Sequence, residues 1–144
     1  MERAREDARE GKSPSTQAGE FVREEIDHIR EGKHGARNTK QAIAIGLSKA
    51  RRAGVKLPPP DPSRTSANTR KKARQDSIRG QRKTKPSAKR SRATMAALKH
   101  EGHSAASPAA LARQAHQSAA ARGKKNRVEA ARKAARTRKR SRTS

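Results

Sequence analysis

Asn38 to Pro60, NTKQAIAIGLSKARRAGVKLPPP, is the stretch whose reading decides the fold. It holds the longest apolar patch in the chain, Ala42-Ile43-Ala44-Ile45-Gly46-Leu47, between legible helix start and stop signals. Asn38 with Gln41 three residues on is a capping-box pattern, in which two side chains satisfy orphan backbone amides of the first turn. Gly54 followed by Val55 predicts a left-handed C-terminal cap with an apolar latch, and Pro58-Pro59-Pro60 forbids continuation. Arg51 and Arg52 fall in the last turn, where the negative end of the helix dipole favours cations.

Upstream, Ser15 or Thr16 predicts the cap of a second helix, Gln17 to Glu31. Ala18, Val22, Ile26 and Ile29 recur there at steps of four, four and three, and Phe21 widens that face. Glu24, Glu25, Asp27 and Glu31 are expected on the other side, with Glu20 and Glu24 able to pair with Arg23. Gly32-Lys33-His34-Gly35 is a glycine-bounded loop, so residues 15–57 read as an αα-hairpin. Ile43, Leu47 and Ala50 form one seam of its second helix, and Ala42, Ile45 and Gly46 form a neighbouring one. Gly46 inside a helix points to close approach of a partner helix. Burial of the few large apolar side chains falls well short of ordering roughly forty residues. The hairpin is therefore expected to form a homodimer or to dock on a partner. Residues 1–14 are a charged N-terminal segment, with a short polar helix over 2–10 that lacks an apolar stripe and ends at Pro14.

The 144 residues carry a net charge of +25, only 29% are hydrophobic, and Phe21 is the sole aromatic. Such a composition cannot offset conformational entropy by burial, so disorder over much of the length is expected. The charge is unevenly placed. Residues 1–31 hold nine of the thirteen acids against six Lys/Arg, whereas residues 32–144 hold 32 Lys/Arg against four acids. Cysteine is absent, which excludes disulfides. MERAREDARE has no apolar run, and no stretch reaches the roughly 20 apolar residues of a bilayer span, so a soluble intracellular protein is expected.

Residues 58–93 read as an extended basic linker with one large apolar residue beyond the prolines, Ile78. Residues 94–144 form an Ala/Arg-rich basic tail with three short helical pieces. The first, around Ala93 to Lys99, carries Met95 and Leu98. The second opens with Ser107 as cap and Pro108 in the first position, and stops at Gly123. The third opens at Asn126 with Glu129 three residues on. The fold class is therefore mainly α: a small helical hairpin plus a largely disordered tail, whose helices form when its charges are neutralised.

Residues 61–144 set 25 Lys/Arg against Asp61, Asp76, Glu101 and Glu129. That excess points to a polyanion bound through phosphates with counterion release, and the arginine bias suits bidentate phosphate contact and narrow minor grooves. The expected nucleic-acid-binding residues are Arg51, Arg52, Lys71, Lys72, Arg90, Arg92, Lys124, Lys125, Arg132, Lys133, Arg136, Arg138, Lys139 and Arg140, acting collectively. Zinc-finger spacing, a helix-turn-helix core and an RNP motif are absent, as are Tyr and Trp for stacking, so binding should be non-specific, with DNA favoured over RNA. Alternatives are an RNA- or ribosome-associated factor, or a stress or plasmid-maintenance adaptor whose hairpin binds a protein. Membrane-surface binding is disfavoured, because the tail offers only alanine with Leu98, Leu111 and Val128 as an apolar face. His100 and His103 resemble half a metal site but read as a polar loop, and His28 and His34 read as surface residues. There is no nucleophile elbow or phosphate-binding glycine loop, so no enzyme, metal, cofactor or small-molecule substrate is expected.

Ser13 to Pro60, SPSTQAGEFVREEIDHIREGKHGARNTKQAIAIGLSKARRAGVKLPPP, resembles a family of small basic bacterial proteins that carry a domain of unknown function with the core phrase KQAIAIGLSKAR, here Lys40 to Arg51. The phrases SRATMAALKHEGH and LARQAHQSAAARG are similar to tails in that family. The resemblance implies a bacterial cytoplasmic or nucleoid setting and supplies no site residues. By composition alone, the tail also resembles those of linker histones.

Overall fold

In the computed structural model, which describes residues 2–83 and 85–141, helix follows helix along the chain. They are α1 (Glu2–Arg9), α2 (Pro14–Arg30), α3 (Thr39–Arg52), α4 (Ala67–Gln81), α5 (Ala88–Lys99), α6 (Pro108–Ala121) and α7 (Gly123–Ser141). A 3-10 turn, Ser104–Ala106, precedes α6. The chain divides into two compact units, Met1–Ser107 and Pro108–Ser144.

The end signals of α3 are in place, with the reciprocal Gln41 bond falling on Arg37, one residue before the cap, and not on the Asn38 amide. Asn38 Oδ1 accepts from the Gln41 amide at 2.9 Å, and Gln41 Oε1 accepts from the Arg37 amide at 2.7 Å. At the other end Gly54 takes φ +96°, which lets its amide reach Arg51 O at 3.0 Å and the Val55 amide reach Ala50 O at 3.1 Å. These are the two bonds of a Schellman stop. Val55, Leu57 and Leu47 then pack against a core of Ala4, Ala18, Phe21 and Ala50.

Helices α2 and α3 make the expected hairpin, but small residues form its seam. Thr39, Ala42, Gly46 and Ala50 are the buried stripe of α3, while Ile43, Ile45 and Leu47 are half-buried. The stripe lets the backbones meet: a Cβ on Gly46 would stand 2.6 Å from the Val22 Cα. The first helix also differs at its start. Ser13 is the cap, its Oγ accepting from the Thr16 amide, and Pro14 opens α2 instead of closing α1. Proline suits the first helical position because its missing N–H would be an orphan there. The polar N-terminal helix does find a surface, since Ala4 of α1 joins the core.

The larger correction concerns the basic part. The expected disordered tail gives way to helix: the described residues are 73% helical and contain no strand. Residues 67–81, inside the expected linker, form α4, which docks on α3. Its buried residues are Ala73, Asp76 and Gly80, at steps of three and four. Asp76 accepts from Ser48 Oγ at 2.6 Å and from Arg52 Nε at 2.8 Å. A Cβ on Gly80 would lie 2.1 Å from Arg51 O. Docking through a carboxylate and small residues leaves no trace in an apolar count, which is why the composition suggested disorder. Alanine, arginine and lysine are strong helix formers, and Ser66 and Ser87 cap α4 and α5 as serines should.

Two residues expected on the surface are buried. Glu25 is 0% exposed and His34 is 3% exposed. Glu25 Oε2 accepts from the Lys49 ammonium of α3, so an ion pair between a buried carboxylate and an exposed lysine crosses the hairpin. Around the loop, Thr39 Oγ1 donates to Ala105 O at 2.7 Å and Arg30 Nε donates to Ala106 O at 2.9 Å. These bonds seat the 3-10 turn beside the α2–α3 corner.

Candidate nucleic-acid interface

Alanine supplies α7 with helix propensity without demanding a core. Ala130, Ala131, Ala134 and Ala135 do this in GKKNRVEAARKAARTRKRS, and every residue from Gly123 to Arg140 is exposed. At 1.5 Å per residue the helix runs about 28 Å. Lys125, Arg132, Arg136 and Lys139 recur at steps of seven, four and three, which places them on one face. Lys124, Lys133, Arg138 and Arg140 surround that stripe, and Glu129 is the one acid of the helix. A rod of this kind presents closely spaced cations to a row of phosphates.

In the first unit, Lys71 and Lys72 are exposed on α4, and Arg90 and Arg92 are exposed on α5. Arg51 is engaged internally, and the exposed Arg52 is tied to a neighbour. Arg51 is buried with Nη2 3.5 Å from Pro58 O, and burial holds its guanidinium below the ordinary arginine value while Asp76 pulls the other way. Arg52 is held by Asp76.

A groove not foreseen from the sequence lies between α4 and the proline run. Arg51, Arg70, Lys71 and Arg74 line it with Leu57 and Pro59, and no acid faces it. Arg70 is tied down by Thr65 O at 2.9 Å and Pro62 O at 3.3 Å, which leaves Lys71 and Arg74 as its exposed cations. The sequence signal was the Arg70–Arg74 spacing, one turn apart on one face, which is invisible until the segment is known to be helical.

Among the described residues, no helix is long and apolar enough to cross a membrane. Neither a curated protein nor a solved structure matches the chain. One family model, described as "Family of unknown function (DUF6496)", matches residues 11–60, a range that takes in α2, α3 and the proline run and stops short of α4.

Proposed function

We propose that this protein binds nucleic acid without sequence specificity, duplex DNA ahead of RNA, through phosphate contacts made by α7. The exposed cations of α4 and α5 serve as further contacts, and the setting is a bacterial nucleoid. The observation that carries the reading is α7 itself: about five helical turns, exposed throughout, with a continuous cationic face and one acid. A helix of this width fits the major groove of a duplex, and its arginines suit bidentate phosphate bonds. The chain has no aromatic platform on which single-stranded bases could stack.

Fluorescence anisotropy on random-sequence duplexes across a salt series tests the reading. Neutralisation of about ten phosphates gives a log–log slope of roughly −9, and a slope shallower than about −3 would sink the mechanism. Arg132→Ala/Lys133→Ala/Arg136→Ala should weaken binding equally on unrelated sequences and flatten the slope by about three. A duplex RNA of equal length, run in parallel, reports the DNA preference directly, and tighter RNA binding would reassign the partner.

A further inference from the structure

We propose that Glu25, His28 and His34 form a site for a divalent first-row transition metal ion of the zinc type. Glu25 and His28 stand at i and i+3 of α2, one turn apart on one face, and His34 enters from the loop that follows. One ligand atom from each, a carboxylate oxygen and two imidazole nitrogens, lies within 4.8 Å of the others. A Glu-x-x-His pair on a helix aims two ligands toward one ion in helical bundles that hold metal in their cores.

Ordinary packing does not account for these groups. Glu25 is fully buried, its Oε2 is taken by Lys49, and its Oε1 accepts no hydrogen bond. His34 Nε2 lies 3.3 Å from that Oε1, and His34 Nδ1 lies 3.1 Å from the carbonyl oxygen of Gly35. A carbonyl only accepts, so in the neutral ring Nδ1 carries the proton and Nε2 turns a lone pair toward Oε1. Two lone-pair donors facing one another out of solvent call for an electrophile between them.

The surroundings match a metal site's outer contacts. The bond from Nδ1 to a backbone carbonyl fixes the tautomer in which Nε2 ligates, and Lys49 on Oε2 leaves Oε1 for monodentate ligation. His34 is also preset in position: the Gly35 amide donates to Leu98 O at 2.9 Å and the Ala36 amide donates to Gly102 O at 3.0 Å. The Leu98 and Gly102 carbonyls thus brace the loop, while His100 and His103 are exposed and belong to no such cluster among the described residues. Ligands bonded at 2.0–2.2 Å in a tetrahedron stand about 3.4 Å apart, so the half-buried His28 has only to swing inward. One carboxylate and two imidazoles suit zinc, cobalt or nickel better than calcium or magnesium. The rival arrangement is a plain imidazolium–carboxylate pair between His34 and Glu25, with His28 a bystander.

The test uses the tag-free full-length protein, stripped with chelator and titrated with Zn2+ by calorimetry and with Co2+ by visible absorption. One ion per chain is expected, with a cobalt d–d band of tetrahedral intensity and a melting temperature that rises with zinc. His28→Ala, at a half-exposed position that spares the fold, should weaken zinc binding by about tenfold or more. His100→Ala/His103→Ala should leave the isotherm unchanged. Absence of one-to-one binding, or an isotherm indifferent to His28→Ala, would overturn the site in favour of the ion pair. Loss of binding in the His100/His103 variant instead would overturn it in favour of residues 100–103.

Discussion

Glu25 and Gly46 are the residues on which the hairpin turns. A buried carboxylate is costly unless it is paired, and removing one partner leaves the other uncompensated. Lys49 is itself exposed, so Lys49→Met should cost about 1–2 kcal/mol, read as a lower midpoint in urea unfolding with an unchanged slope. At Gly46 two effects oppose each other. Alanine would add about 1 kcal/mol of helix propensity, but its Cβ would stand 2.6 Å from the Val22 Cα. The clash wins because the obstacle is backbone, and Gly46→Ala should destabilise by about 1–3 kcal/mol in the same assay. Asp61 gives a pH signature. Bonds from the Ser63 hydroxyl and amide, at 2.7 and 2.8 Å, hold its carboxyl below the usual aspartate value. A depressed value means that the turn's contribution is present above the unfolded value and is lost as pH falls through the folded one. Carboxyl NMR should place the Asp61 midpoint below the usual aspartate value, and Ser63→Ala should move it upward.

Helices in this protein stop where local chemistry tells them to and dock where small residues let them. The α3 caps were legible because a cap is written within four or five residues, whereas the α2 cap fell at Ser13 and not at Ser15 or Thr16. Docking of α4 was not, because Asp76 is 28 residues from Ser48 and 24 from Arg52, and its two neighbours in the seam, Ala73 and Gly80, barely register on any apolar scale. Asp76→Ala should cost about 1–2 kcal/mol by removing the bonds that Ser48 and the exposed Arg52 donate to this carboxylate. Amide exchange separates this effect from global unfolding: α4 should lose protection well ahead of α2.

Across the whole chain, a charge of +25 is compatible with continuous helix because the helices need little core. Alanine carries α7, serines cap α4 and α5, and one buried aspartate binds α4 to the hairpin. The proposed nucleic-acid function makes this helicity matter. Ala134→Pro breaks α7 at its middle, at about 3 kcal/mol, and leaves the charge unaltered. Duplex affinity should fall with helix content in circular dichroism while the salt slope stays near its original value. Unchanged affinity would mean that charge alone, without the rod, does the binding.

The sequence by itself determined the ends of α3, the existence of the hairpin and the separation of an acidic head from a basic remainder. Caps act over a single turn, and charge is a property of composition. Tertiary structure decided which polar residues go inside. Glu25 read as one acid among several on a solvated face, and His34 as one polar loop residue among others. Their burial depends on Lys49, 24 residues away, and on the backbone at 98–102 that closes over the loop. Such partners are set by chain folding and carry no local pattern. For the same physical reason the sequence did not single out Glu25, His28 and His34, the proposed metal ligands: residues assemble where the backbone brings them together, here with the Leu98 and Gly102 carbonyls bracing the loop.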